Sequence, residues 1–155
     1  MPSISHREFI HSRFEIVWDL LVDTIEHPDK YLSNVKSVNI SERHNEEFIR
    51  EIIFENDEHL KEFIVQDKVH GAIICQLKDH LKYNGDTVIS LRSTNNVYEN
   101  ELDYKLQWLS KDPSTIEDTQ EETAALRQQL ESAAFEIKAT AENLQDRRGS
   151  RENIL

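Results

Sequence analysis

Histidine is the first residue type in this chain that could bind a metal or move a proton. The seven histidines stand at positions 6, 11, 27, 44, 59, 70 and 80. No two are four residues apart on a predicted helix, and no Cys-x-x-Cys pair accompanies them, so the spacing of zinc ligands is absent. We therefore predict no metal site and no cofactor, and interpret the histidines as scattered surface residues.

Nucleophilic catalysis needs an activated cysteine or serine. Cys75 and His80 stand five residues apart on a predicted strand, which places their side chains on opposite faces. We interpret Cys75 as a small core residue. The chain has only three glycines and lacks the Gly-x-Ser-x-Gly turn of serine hydrolases. These patterns indicate no catalytic residue.

Two charged residues could enter the covered face of a sheet. In the strand predicted over 72–82, alternation puts Asp79 on the apolar side. The strand predicted over 47–54 allows two phases, one with Arg50 inward and one with Glu51 inward. An inward Arg50 opposite Asp79 or Glu62 would be a polar anchor in an apolar cavity, because a buried charge needs a partner. In the alternative interpretation these residues lie near strand ends and point to water.

Aromatic side chains with a period of two could stack on a flat ligand, or they could be plain core. The set comprises Phe48, Phe54, Phe63, Tyr104 and Trp108. Ala133 and Ala134 lie midway along a predicted helix and would leave room beside a curved sheet. Phe135 lies off the apolar stripe and is interpreted as an edge or subunit contact, which allows a homodimer.

The N-terminal part predicts a strand over 3–11 and then two short helices. Ser12 and Glu15 have the spacing of a capping box at the start of the first helix. His27-Pro28 ends that helix, because proline disfavours helical geometry in the residue before it and suits the first position of a new turn.

The middle of the chain predicts an antiparallel meander with one buried face. Turn chemistry separates the strands, most clearly at Asn84-Gly85, which fits a type I′ hairpin. The predicted strands cover 35–42, 47–54, 59–67, 72–82, 87–94 and 102–109.

A long helix over 114–148 would cover this sheet. Ser114 and Glu117 have capping-box spacing, and Gly149 is placed to end the helix. We predict one domain over 1–148 and a flexible tail over 149–155. The helix carries an apolar stripe of helical period: Leu126, Leu130, Ala133, Ile137, Ala141 and Leu144.

The order of these elements, with the segment "EIVWDLLVDTIEHPDKYLSNVKSVNISE" (15–42), resembles the START-like or helix-grip superfamily. Such domains show Val-Trp early in the first helix, an Asp ending it, a proline-containing kink and a strand of the V-x-S-V type. The segment "FIREIIF" and the long closing helix fit as well. The resemblance spans roughly residues 4–145 and is nearest to the AtaL-like group. It implies an α+β fold, a curved antiparallel sheet of about seven strands around a long C-terminal helix.

The resemblance implies that the protein binds a small hydrophobic or aromatic molecule, such as a lipid or a polyketide-like metabolite, between sheet and helix. One alternative is a polyketide cyclase or dehydratase using Arg50, Asp79 and Tyr104, and another is a protein-interaction module of the co-chaperone type. No shared catalytic motif comes with the superfamily. The candidate ligand-binding residues are Trp18, Arg50, Phe63, Asp79, Leu91, Tyr104, Trp108, Leu130, Ala133, Ala134 and Ile137.

Charge and hydropathy narrow the possible partners. The formal net charge of −12 opposes binding to phosphate backbones and to anionic membrane surfaces. No stretch approaches the ~20 apolar residues that cross a bilayer. A single cysteine and an N-terminus without a signal-like apolar run favour a cytoplasmic location.

Overall fold

The structure is a computed structural model that describes residues 3–112 and 120–152, with side chains as far as residue 148. Its elements are, in chain order, β1 (Ser3–Ile10), α1 (Phe14–Glu26), a 3-10 turn (Pro28–Lys30), β2 (Val35–His44), β3 (Glu47–Phe54), β4 (His59–Asp67), β5 (Ala72–Lys78), β6 (Tyr83–Ser93), β7 (Asn100–Ser110) and α2 (Gln120–Glu152).

The seven strands form one antiparallel sheet in the order β1-β7-β6-β5-β4-β3-β2, so β1 and β2 are its edges. The helix α2 packs against β1, against the neighbouring strand β7 and against α1. This is the predicted α+β helix-grip architecture. The strands β3 and β4 begin and end at the predicted residues.

The core lies on the face of the sheet that α1 and α2 cover. Strand residues such as Phe48, Ile64, Ile73 and Leu102 are completely buried there, and Ala134 of α2 is buried with them. Burying such side chains supplies the main favourable term in folding, roughly 1.5–3 kcal/mol for each large one. The same packing fixes which strand residues point inward.

The start of α1 is held by α2 rather than by the predicted capping box, which is wrong. Arg13 is the N-cap residue and makes no side-chain cap hydrogen bond. The backbone amide of His11 donates to Glu142 Oε2 at 2.8 Å, and that of Arg13 donates to Gln145 Oε1 at 3.1 Å. Side chains of α2 therefore satisfy two backbone donors beside the start of α1.

The end of α1 agrees with the sequence prediction. Glu26 is the last helical residue, and Pro28 opens the following 3-10 turn. The Tyr31 hydroxyl donates to Asp23 Oδ2, and Lys30 Nζ donates to the same carboxylate at 3.2 Å. These hydrogen bonds hold the 3-10 turn against α1.

Two of the three predicted hairpin turns are confirmed, and the Asn84-Gly85 turn is wrong. Asn45 and Asp57 have positive φ angles of 56° and 65° at the β2–β3 and β3–β4 turns. The β5–β6 turn lies at residues 79–82, whereas Gly85 lies inside β6 opposite Trp108. A Cβ on Gly85 would stand 2.0 Å from the backbone oxygen of Gln107, so glycine here permits close strand approach.

The long helix is confirmed from Gln120 onward, and its predicted stop at Gly149 is wrong because the backbone stays helical to Glu152. A lone glycine costs a helix only about 1 kcal/mol relative to alanine, so it does not force an end. The predicted tail therefore begins in helical backbone. Ser114, Glu117 and residues 153–155 lie outside the described residues.

Candidate functional site

The main polar feature of the covered face is an ion pair between Arg50 and Glu62. Arg50 is 7% exposed and Glu62 is 4% exposed. They are direct cross-strand partners on β3 and β4. Arg50 Nη2 donates to Glu62 Oε1, while Nη1 donates to the backbone oxygen of Ile25 at 2.9 Å. The inward phase of β3 is therefore the one with Arg50, and its partner is Glu62 rather than Asp79.

The pair keeps Arg50 charged. Burial works to lower the pKa of Arg50, but the negative charge of Glu62 and the hydrogen bond that Arg50 donates to it leave that pKa above its ordinary value. A buried pair of this kind is costly to break, because removal of one partner leaves the other charge uncompensated. It also places a strong dipole among apolar side chains.

Cys75 and Tyr104 lie in the same buried region. Burial raises the pKa of the Cys75 thiol, and the charge of Glu62 raises it further, so the group is a neutral thiol and not a nucleophile. Burial likewise raises the pKa of Tyr104, which keeps its proton. Within 3–112 and 120–148, no hydrogen-bond partner of the Tyr104 hydroxyl is found.

Three buried nitrogen atoms in the described part of the chain have no hydrogen-bond partner: Arg50 Nε, Gln66 Nε2 and Trp108 Nε1. The first and third can only donate. A buried donor without an acceptor is unfavourable by about 1–3 kcal/mol. These unpaired donors suit a bound molecule that carries oxygen atoms.

An aromatic cluster that the sequence did not reveal lies at one end of this face. The rings of His80, Tyr83 and Trp108 have centroids 5.5–5.6 Å apart in each of the three pairs. His80 Nδ1 accepts the amides of Lys82 and Tyr83, both at 3.1 Å, so any ring proton is on Nε2. Burial, and then the charges of Lys111 and Lys82, lower the pKa of His80. The ring is a neutral donor near neutral pH.

The cluster was missed because the strand boundary was misplaced. With a strand predicted to continue to residue 82, His80 was assigned to a pleated surface and not to a turn. The signal that identifies the cluster is the glycine at position 85, since it faces Trp108 across β6 and β7.

Eight of the predicted site residues are buried in the core or pack against it. Trp18, Leu91, Leu130, Ala134 and Ile137 are buried in the cluster that also contains Tyr104, and Trp108 packs against it. Arg50 is buried on the same face. These positions form a coherent region, although their contact with a ligand remains a prediction.

The prediction that Asp79 points toward the covered face is wrong. The strand β5 ends at Lys78, so strand alternation does not extend to Asp79. Its backbone has a positive φ of 52°, and its side chain is 87% exposed with an oxygen 3.9 Å from Lys61 Nζ. Asp79 therefore belongs to the surface of the β5–β6 turn.

Phe63 and Ala133 were also predicted to line the covered face, and the structure places neither of them there. Phe63 has Gln76 as its cross-strand partner, and Lys78 Nζ lies 5.7 Å from its ring centre. Since the adjacent Glu62 and Ile64 point inward, Phe63 lies on the outer face. Ala133 is exposed, because helical rotation brings its neighbour Ala134 to the core instead.

A cavity of about 500 Å³ lies mainly on the outer face, beside the β4–β5 turn and the start of α1. Phe14 and Leu91, which pack with the core, also line it. Phe48 and Ile64, in the middle of the covered face, are completely buried. An open internal pocket therefore remains a prediction.

Comparison with known proteins identifies the fold. No protein-family model matches the chain, and no curated protein matches it. A START superfamily protein from Mycobacterium smegmatis superposes with a TM-score of 0.67 at 14% identity, covering 92% of this chain and 98% of that chain. The Zhui aromatase/cyclase from Streptomyces superposes with a TM-score of 0.60 at 11% identity, covering 91% and 88%.

A third solved structure agrees with these two. The di-domain aromatase/cyclase StfQ from the steffimycin biosynthetic pathway matches with a TM-score of 0.69 at 13% identity, covering 96% of this chain and 52% of that chain. The chain therefore has the START-like helix-grip fold, as the residue pattern predicted. At these identities the likeness establishes the fold alone.

No described helix combines the length and apolar character needed to cross a bilayer. Between residues 3 and 112 and along 120–148, no three His, Cys, Asp or Glu side chains group as metal ligands would.

Proposed function

We propose that this protein binds a small, largely apolar molecule between the sheet and α2, and that the molecule presents oxygen atoms to the donors of the covered face. The observation that carries the proposal is the buried Arg50–Glu62 pair with Arg50 Nε left unpartnered. Ligand sites commonly combine apolar walls with a few placed polar groups.

The apolar and aromatic surroundings favour a flat or elongated ligand. Tyr104 and Leu130 are buried in the core cluster of the covered face, and Trp108 packs against it, so β7 and α2 both supply apolar surface there. An aromatic ligand gains stacking energy against such side chains beyond its area burial. A carbonyl or hydroxyl oxygen on the ligand would accept from Trp108 Nε1 or Arg50 Nε, which removes the penalty of an unpaired donor.

The structural neighbours support this class of ligand. Two of them are described as aromatase/cyclases, and one belongs to a steffimycin biosynthetic pathway. A lipid or polyketide-like molecule is the specific proposal, and the AtaL-like placement and the homodimer remain predictions from the sequence.

A second candidate function is cyclase or dehydratase chemistry at the same place. It is favoured by Tyr104, whose hydroxyl is protonated and has no partner within the described ranges. A positioned phenol can donate a proton to, or polarise, a ligand carbonyl. Asp79 is no longer a candidate acid or base because it lies in an exposed turn.

The test uses quenching of the fluorescence of Trp18 and Trp108 by two probes of the same shape. 9-Fluorenone carries a carbonyl oxygen, and fluorene does not. We expect saturable quenching by both probes, with fluorenone binding roughly tenfold more tightly, since one hydrogen bond to an otherwise unpaired donor is worth about 1–2 kcal/mol.

The matched variant is the double substitution Arg50→Met with Glu62→Leu, which removes both charges together and so avoids a lone buried charge. It should lose the preference for fluorenone while keeping fluorene binding. The control is Arg43→Met with Glu26→Gln, which removes a more exposed arginine–glutamate pair. Equal affinity for the two probes in the unmodified protein would contradict the proposal.

A further inference from the structure

The cavity on the outer face has its own polar chemistry. Its walls come from β1, β6 and β7, from the β4–β5 turn, and from the first residue of α1. Phe14 and Val69 supply apolar surface. Arg7, Arg92 and Lys68 supply positive charge, and Glu101 and Asp103 supply negative charge. Arg7 and Arg92 pair with Glu101, and Lys68 pairs with Glu15, so the charges around the cavity nearly balance on a chain whose net charge is −12.

Glu101 organises the two arginines. Its Oε1 accepts Arg7 Nε at 2.8 Å and its Oε2 accepts Arg92 Nη2 at 2.7 Å. The carboxylate is only 12% exposed, whereas both guanidinium groups are more than half exposed. Hydrogen bonding to Arg92 lowers the pKa of Glu101, so it stays ionised near neutral pH. The carboxylate thus holds both arginines while offering little negative charge to solvent.

Each arginine retains donors that Glu101 does not use. A guanidinium has five N–H donors, and each of these groups gives Glu101 one close contact. Arg7 Nη2 stands 3.9 Å from Asp103 Oδ2, which is an ion pair too long for a hydrogen bond. Free guanidinium edges match the two oxygens of a carboxylate, and such paired contacts are among the stronger ones in proteins.

The apolar part of the cavity lies beside this polar part. The Phe14 ring stacks on Trp18 at a centroid distance of 5.8 Å and an interplanar angle of 9°, so its position is set by the core. The turn carrying Val69 is fixed by the Leu91 amide, which donates to the Gly71 oxygen at 2.7 Å, and by Lys68 Nζ, which contacts Glu15 at 2.7 Å. The cavity is therefore held by packed elements.

We propose that this outer cavity is a second binding site, and that it takes a small organic acid with an aryl or alkyl body. The carboxylate would be held by Arg7 and Arg92, and the apolar body would lie toward Phe14 and Val69. Neither Arg50 nor Glu62 lines this cavity, so the proposal does not depend on the function proposed for the covered face.

The test is an NMR titration of the isotope-labelled protein with 3-phenylpropionate, compared with its uncharged amide 3-phenylpropionamide. We expect saturable shifts of the Arg7 and Arg92 side-chain Nε–H signals and of the backbone amides of residues 68–71. The amide should bind at least tenfold more weakly. An absence of saturable binding by the acid, or saturable shifts confined to the covered face, would overturn the proposal.

Two variants locate the site. Arg92→Gln leaves Glu101 with Arg7 as a partner and should weaken binding of the acid by at least tenfold. Lys105→Gln is the control, because it removes the same charge from an exposed position on β7 that does not line the cavity. It should change the affinity by less than twofold. Equal losses in the two variants would indicate attraction by overall charge alone and would overturn the assignment.

Discussion

Arg50 and Glu62 stand directly opposite each other on β3 and β4, and their side chains form an ion pair inside the covered face of the sheet. Arg50 also reaches the last turn of α1 through the Ile25 backbone oxygen. One side chain thus joins two strands to a helix. The pair therefore links three elements of the fold, and it is also the buried polar group that we propose a ligand would contact.

The first prediction concerns the stability of that pair. Arg50→Met should lower the free energy of unfolding by about 3–5 kcal/mol, because it leaves the buried Glu62 carboxylate without a partner of opposite charge. Arg50→Met combined with Glu62→Leu should lose much less, since no unpaired charge remains. Urea denaturation measures both, and a double variant as unstable as the single one would show that the unpaired Glu62 carboxylate does not cause the loss of stability.

The second prediction concerns the glycine inside β6. Gly85→Ala should destabilise the fold by about 1–3 kcal/mol, because the φ of 136° is strained for alanine and its Cβ would meet the Gln107 oxygen. Gly149→Ala, within helical backbone, is the matched control and should be neutral or mildly stabilising. The thermal midpoints of the two variants should therefore move in different directions or by very different amounts. A Gly85→Ala variant as stable as the parent would argue against the close approach of β6 and β7.

The third prediction concerns alkaline pH and the link between Tyr31 and Asp23. Burial, and then the hydrogen bond to Asp23, raise the pKa of Tyr31 to about 12 from an ordinary value of 10.0. A raised phenol pKa means that the folded state favours the protonated form. This contribution to stability is full below pH 10, where the unfolded chain is also protonated, and it is lost as the pH rises toward 12.

Tyr31→Phe should therefore show a smaller loss of stability between pH 10 and pH 12 than the parent protein does. Tyr98→Phe is the control, since that exposed hydroxyl contacts Arg13 and not a carboxylate. Unfolding by urea at several pH values makes the comparison. Parallel pH profiles for the parent and Tyr31→Phe would rule out the linkage.

The fourth prediction concerns Asn100, a completely buried polar residue at the start of β7. Its Nδ2 donates to the Ser12 backbone oxygen at 2.8 Å, and its Oδ1 accepts the Ser93 hydroxyl at 3.1 Å. Asn100→Ala should cost about 1–3 kcal/mol, because the buried Ser12 backbone oxygen would lose its hydrogen bond. Hydrogen exchange should show the loss of protection concentrated around residues 10–14. A loss of protection spread evenly over the sheet would indicate general unpacking and would contradict the prediction.

The architecture was predictable because several local signals agree. Alternation gave the limits of β3 and β4, and the His27-Pro28 step gave the end of α1. The order of strand, short helices, strands and long helix then left few arrangements that bury one face of the sheet. Such features depend on nearby residues, which a sequence displays directly.

The site was less predictable because it depends on which side of each strand faces inward. In β4 the inward phase contains Glu62 and Gln66, whereas the outward phase contains Phe63, so hydrophobicity alone selects the wrong face for the aromatic residue. The inward phase is set by Ile64, which is completely buried, and by the pairing of Glu62 with Arg50 on the neighbouring strand. At residues 79–85, Asn-Gly has the chemistry of a turn but occupies a strand, because Gly85 is needed where β6 approaches β7.

The central claim is that the covered face holds a small apolar molecule, and native mass spectrometry of the purified protein tests it most directly. The protein should carry a stoichiometric added mass that denaturing extraction releases as an apolar or aromatic compound containing oxygen, and the Arg50→Met, Glu62→Leu double variant should carry less of it. Protein of the bare chain mass that also gains no mass from 9-fluorenone would contradict the account and would favour the protein-interaction alternative.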